Sequence, residues 1–168
     1  ALNTANIDAT GNVIESTVMA NDATVTATTG YIAVVEVTAF NDATISANLV
    51  SATTISAANN ASVTGTTQIV DSTIAADGTA TISGAELLNN TVAAGAIGAN
   101  AGTGSIIGGT YTTAGTADLT AAVEIGGVTV QATGDAILTT TTGDIVNTTV
   151  EGNIVTMNAG GNITNTAV

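Results

Sequence analysis

NDATVTATTG at residues 21–30 and NDATISANLV at 41–50 decide the fold of this chain. In the first, Ala23, Val25 and Ala27 alternate with Thr24 and Thr26; in the second, Ala43, Ile45 and Ala47 alternate with Thr44 and Ser46. A period of two assigns each set to one face of a β-strand. The phrase returns as NASVTG at 60–65, GTATISG at 78–84, GTADLTA at 115–121 and GDAILTT at 134–140. Aligned, these put Val25, Ile45, Val63, Ile82, Ala101, Leu119, Leu138 and Val155 in one column, about 18 to 19 residues apart. Ala or Gly on either side of one aliphatic suits a narrow coil, with the larger side chain filling the middle.

A second phrase lies half a period later: VIESTV at 13, IVDSTI at 69, LLNNTV at 87, IIGGTY at 106 and IVNTTV at 145. LVSATTI at 49, EIGGVTV at 124 and NITNTAV at 162 are looser versions. Two aliphatics, two turn-forming residues, usually Thr, then an aliphatic or Tyr reads as strand, corner, strand. The expected fold is therefore all-β: a single-domain parallel β-solenoid over residues 1–168, of about nine rungs of 18–19 residues. Val63, Ile82 and Val70 are expected to point inward. The first rung, 1–20, is weak, and 97–114 is irregular, because IGANAGTG at 97–104 offers no Val or Ile at the column position. A pilin-like β-sandwich completed by a neighbour's strand is the alternative.

Composition narrows the function. The chain has 168 residues, 45% of them hydrophobic, yet Tyr31, Phe40 and Tyr111 are its only aromatics. It contains no Lys, Arg, His, Cys, Pro or Trp, and its 13 acidic residues give a formal charge of −13. Unpaired carboxylates are costly to bury, so all are expected to face solvent or a metal ion. Nucleic acid and anionic membrane surfaces demand basic patches and are excluded as partners. No apolar run is long enough for a membrane helix, and ALNTANIDATG has no basic leader, so the chain reads as a mature product. An acidic chain rich in Thr, Asn, Ala and Gly fits an extracellular or cell-surface setting.

GDAILTTTTGDIVNTTVEGNIVTMNAGGNITNTAV at 134–168, with the 19-residue rhythm, resembles the β-helical shafts of filamentous-haemagglutinin-type adhesins and autotransporter passengers. The resemblance covers most of 21–168 and is one of repeat style. It implies a right-handed parallel β-helix displayed on a bacterial or similar surface. The regularly placed Ser, Gln and Asn of curlin repeats are missing.

Catalytic chemistry has little to work with. Nucleophile and base pairs need His, Lys or Cys, and phosphoryl or carboxylate substrates need Arg or Lys. A two-carboxylate glycosidase could draw only on Asp118, Glu124, Asp135 and Asp144, without aromatic platforms. No enzyme activity and no cofactor are expected, apart from Ca²⁺: Asp22 and Asp42 share a column in adjacent rungs, their carboxylates about 5 Å apart. Asn60, Asn89, Asn147 and Asn162 head Asn-x-Ser/Thr triplets, three of them at corners where Asn is wanted for its backbone. Thr24, Thr26, Thr44, Ser46, Thr81 and Ser83 superficially resemble the Thr ladders of ice-binding solenoids, but form an ordinary strand face.

The expected function is a structural subunit that self-assembles head to tail into a filament, pilus-like fibre or surface layer. A shaft segment of a surface adhesin is the alternative. GNIVTMNAGGNITNTAV at 152–168 keeps both phrases up to Val168, with no Pro or Lys to blunt a sheet edge. Ile163, Thr164 and Val168 are the expected assembly edge, and the partner is another copy of the chain.

Overall fold

The computed structural model describes residues 3–168; the first two residues of the first expected rung lie outside it. The described residues contain no helix. All strand pairings are parallel and join each strand to its counterpart one coil on, forming a β-solenoid. Each coil has three sides. The first carries Thr4–Ala9 at the bottom and Val155–Asn158 at the top. The second runs from Val13–Ile14 to Ile163–Thr164, and the third from Thr17–Ala20 to Thr149–Glu151. Eight turns are complete on all three sides. The ninth is held on the third side by a single bridge, Thr149 to Ala167.

Three inward columns fill the coil. On the first side they are Ile7, Val25, Ile45, Val63, Ile82, Ala99, Leu119, Leu138 and Met157, each paired with the next. The second side stacks Val13, Ile32, Val50, Ile69, Leu87, Ile106, Ile125, Ile145 and Ile163. The third stacks Val18, Val37, Ile55, Ile74, Val92, Tyr111, Val130 and Val150. One continuous apolar core results, with no layer boundary along the axis.

Two column positions differ from the sequence reading by two residues: Ala99, not Ala101, pairs with Ile82 and Leu119, and Met157, not Val155, pairs with Leu138. A two-residue slip keeps the inward face, so alternation alone does not detect it. Val70 is also corrected. Ile69 is the fully buried residue, while Val70 turns outward half-buried. In the two-aliphatic phrase the first side chain faces the core and the second the outer surface. In the 97–114 coil, Ile97, Ala99 and Ala101 are buried and paired on both sides, and the register shift falls earlier, between Ala94 and Ala96.

The corner between the second and third sides has one geometry throughout. Glu15, Val34, Ala52, Asp71, Asn89, Gly108, Gly127, Asn147 and Asn165 all have positive φ, between 46° and 66°. This left-handed residue turns the chain and hands its N–H to the coil above, as in Asp71 to the Leu88 carbonyl (3.0 Å) and Asn89 to the Ile107 carbonyl (2.8 Å). Asn, Asp and Gly are the residues that adopt this backbone cheaply, which is why they recur in the phrase.

Candidate functional site

Three sets of polar groups are built by this frame. The first lines the corner where the third side returns to the first. Asn21 Nδ2 donates to Asn3 Oδ1 (3.1 Å), and Asn41 Nδ2 to Asp22 Oδ1 (2.7 Å). Asp42 Oδ1 accepts Asn59 Nδ2 (2.9 Å), the Asn60 N–H (3.0 Å) and Asn60 Nδ2 (3.2 Å). Asp22 and Asp42 do occupy one column, since Ala23 pairs with Ala43. Amide donors from the coil above bond one oxygen, Oδ1, of each carboxylate. Among the described residues no group of three or more His, Cys, Asp or Glu is placed to hold a metal ion. Higher up, Gly95, Gly115 and Gly134 take over this corner, with Gly115 N–H donating to the Gly95 carbonyl (2.7 Å). A Cβ on Gly115 would collide with that carbonyl.

The second set is buried at the left-handed corner. Thr53, Ser72, Asn90 and Thr148 follow the turning residue and point into the coil, each almost fully buried. The Ser72 N–H donates to Asn90 Oδ1 (3.0 Å), Asn90 Nδ2 to the Ile69 carbonyl (2.9 Å), and Ser72 Oγ to the Val70 carbonyl (3.1 Å). These bonds satisfy backbone groups that the sharp turn removes from the strand ladder. The sequence phrase contained these residues, but nothing in it distinguished their inward direction.

The third set is outward. Thr17, Thr54, Thr73, Thr91, Thr110, Thr129 and Thr149 share one column of the third side, which Glu36 alone interrupts. The Thr and Ser array at 24–26, 44–46 and 81–83 forms a comparable pair of columns on the first side, ending at Gly98 and Asn100. Gly98 leaves a shallow notch there, bordered by Thr81, Asn100 and Asp118.

Comparison with protein-family models, curated proteins and solved structures found no match. The functional reading therefore rests on the residues themselves.

Of the carboxylates considered for hydrolysis, Asp118 and Asp135 stand apart, whereas Glu124 and Asp144 are neighbours in adjacent coils. Asp118 stands on the outer first side, paired in register with Ile137, and Asp135 precedes the first side of the next coil. Glu124 and Asp144 stack one coil apart at the corner between the first and second sides. Asp144 Oδ1 accepts the Asn162 N–H (2.6 Å) and Nδ2 (3.3 Å). Asn89 and Asn147 sit in the left-handed column; Asn162 directs its side chain to the coil below, and Asn60 bridges two coils, its Nδ2 donating to Asp42 Oδ1 and its Oδ1 accepting the Thr79 N–H (2.9 Å).

At the top edge, Ile163 pairs with Ile145 and Thr164 with Val146. Ile163 belongs to an inward column, yet it is 44% exposed because no coil covers it; Val168 is 79% exposed. Tyr111 is wholly buried, and its hydroxyl has no hydrogen-bond partner among the described residues. Burial pushes the Tyr111 phenol well above its ordinary value.

Proposed function

We propose that this chain is a structural, non-catalytic extracellular protein whose solenoids stack head to tail into a filament. The observation that carries the reading is the ninth coil. It keeps the inward columns of the coils below and leaves Ile163 uncovered within these 168 residues. A further coil would bury that side chain and pair the free strand edges, which are templates for added strands. The bottom coil has the same spacing as the top one: Ile7, Val13 and Val18 stand six and five residues apart, as do Met157, Ile163 and Val168. A second copy thus continues all three columns, and a contact of this kind does not close.

A shaft segment of a filamentous-haemagglutinin-like adhesin is the second reading, favoured by the same open coil, since a longer chain could supply the next rung itself. Asp22, Asp42 and Asp144, each held by amide donors of the coil above, serve the stacking of coils, which supports both readings over a catalytic one. Electron microscopy of the 168-residue chain tests the proposal. Filaments are expected from the parent, and folded monomers from a variant carrying Ile163→Asp and Thr164→Pro. Filaments undiminished in that variant, or a parent monomeric at high concentration, would overturn it.

A further inference from the structure

Met157, Ile163 and Val168 of the top coil stand 150 residues after Ile7, Val13 and Val18 of the bottom one. The outer corners keep the same offset, and there asparagine returns at the top of the stack. At the corner between the third side and the first, the column runs from Asn3 to Asn59 through four coils and from Gly78 to Gly134 through four more. It then reverts to asparagine at Asn153. At the corner between the first side and the second, asparagine occupies only the two ends of the column, Asn12 and Asn162, with residues such as Tyr31, Gln68 and Glu124 between. The bonds these four asparagines make leave complementary groups open. Asn153 Nδ2 donates to Asp135 Oδ1 (3.4 Å) and Asn162 Nδ2 to Asp144 Oδ1 (3.3 Å), both in the coil below. A carboxylate only accepts, so it fixes which way each amide is turned and leaves Oδ1 without a donor among the described residues. At the bottom, Asn3 Oδ1 accepts Asn21 Nδ2 (3.1 Å) and Asn12 Oδ1 accepts the Tyr31 N–H (3.1 Å), both from the coil above. Their Nδ2 groups have no acceptor among the described residues.

We propose that these four asparagines key the joint between two copies: Asn3 and Asn12 of the upper copy donate Nδ2 to the Oδ1 of Asn153 and Asn162 of the lower. This rests on the head-to-tail reading and adds what that reading leaves open, polarity and strand register. Inside the fold the same contact is made by Asn21 over Asn3 (3.1 Å) and Asn59 over Asn41 (3.4 Å). Donors lie at one end of the solenoid and acceptors at the other, so two tops would set acceptor against acceptor. A slip of two residues at the joint would keep every apolar column inward. It would also carry each asparagine about 7 Å along the strand from its partner, beyond the reach of a hydrogen bond. The asparagine pairs therefore exclude a register that the core alone tolerates, and the partner they select is a copy of the same polarity.

Two sets of variants of the whole chain test the key. Asn3→Asp with Asn12→Asp keeps the oxygens that accept from Asn21 and Tyr31 but removes both donors at the joint. The concentration needed for filaments, read by pelleting, should rise about tenfold or more. Asn89→Asp with Asn147→Asp adds the same two charges outside the end coils, where Asp fits the left-handed backbone, and should assemble as the parent does. The second set uses the absence of cysteine from this chain. Asp8→Cys with Asn158→Cys joins outward positions of the first side that share the 150-residue offset, whereas Asp8→Cys with Thr156→Cys matches a two-residue slip. Oxidation of assembled protein should link the first pair into a ladder of covalent multimers on a denaturing gel and leave the second pair monomeric. Filaments in which the first pair stays monomeric or the slipped pair cross-links would overturn the key alone. So would assembly of the Asn3→Asp, Asn12→Asp variant at the parent's concentration, or an equal loss in the charge control. A parent that forms no filaments at all would overturn the head-to-tail reading and the key with it.

Discussion

From the second side to the third, inward residues are always five apart, as in Ile69 to Ile74 and Ile145 to Val150. From the first side to the second they are five apart at Ile45 to Val50, six at Val63 to Ile69 and seven at Val25 to Ile32. The two corners turn the same chain in the same coil, but by different means. One is a left-handed turn, followed in most coils by a buried side chain, and it has no slack. The other is an open bend whose length changes are absorbed as register shifts, at 27–31, 47–49 and 65–68. A solenoid can therefore vary its period while every column stays in phase, provided that one corner is fixed.

The largest effect expected from this contrast is on insertions. One Gly between Asp71 and Ser72 would lengthen the fixed corner and turn each following residue of that strand to the wrong face. That variant should not fold cooperatively. The same insertion between Thr66 and Thr67 makes the step from Val63 to Ile69 seven residues, a spacing already present elsewhere. It should cost no more than about 1 kcal/mol in denaturant unfolding. Equal losses at the two sites would erase the distinction.

Next in size is Asn90→Ala. It removes the acceptor for the Ser72 N–H and the donor to the Ile69 carbonyl, leaving two buried groups unpaired. At about 1–3 kcal/mol for each unpaired group, a loss near 3 kcal/mol is expected by urea unfolding. Asn48→Ala, which removes an exposed bond to the Thr29 carbonyl at the flexible corner, should cost under about 1 kcal/mol.

Smaller effects run the other way. Val34 is β-branched, 58% exposed and has φ of 54°, so it carries strain that Asn at the equivalent positions avoids. Val34→Asn should raise stability by about 1 kcal/mol, and a loss would mean that Val34 contributes packing its exposure does not suggest. Tyr111→Phe should be neutral or stabilising by up to about 1 kcal/mol, because its hydroxyl is buried without a partner. The phenol's folded pKa lies above its unfolded value, so the unfolded chain loses that proton first as pH rises through 10.0. Stability conferred below that pH is lost above it, by about 1.4 kcal/mol per pH unit. Melting curves between pH 9 and 11 should show this decline in the parent and a weaker one in Tyr111→Phe.

Much of the frame was legible in the sequence because alternation and corner chemistry agree. The Ala-Val-Ala and Ala-Ile-Ala triplets identified the first side, and the Asn, Asp and Gly of the second phrase marked the left-handed corner. Where the signal failed, side-chain size was the reason. Ile97, Ala99 and Ala101 all point inward, and none between Gly98 and Gly102 is large enough to mark the centre of the coil. Ile69 and Val70 are chemically alike, so only the corner geometry distinguishes core from surface. The polar ladders were the least legible. That Asn41 and Asn60 hold Asp22 and Asp42 depends on side-chain direction across coils, which a period in the sequence does not encode.

The axial repeat of the assembled protein tests the central claim most directly. Nine coils at about 4.8 Å each predict a subunit rise of about 43 Å, over a strong meridional reflection near 4.8 Å. Cryo-electron microscopy of filaments grown from the 168-residue chain should show both spacings. A 4.8 Å reflection without the 43 Å rise, or particles that remain single solenoids at every concentration, would contradict head-to-tail continuation of the three columns.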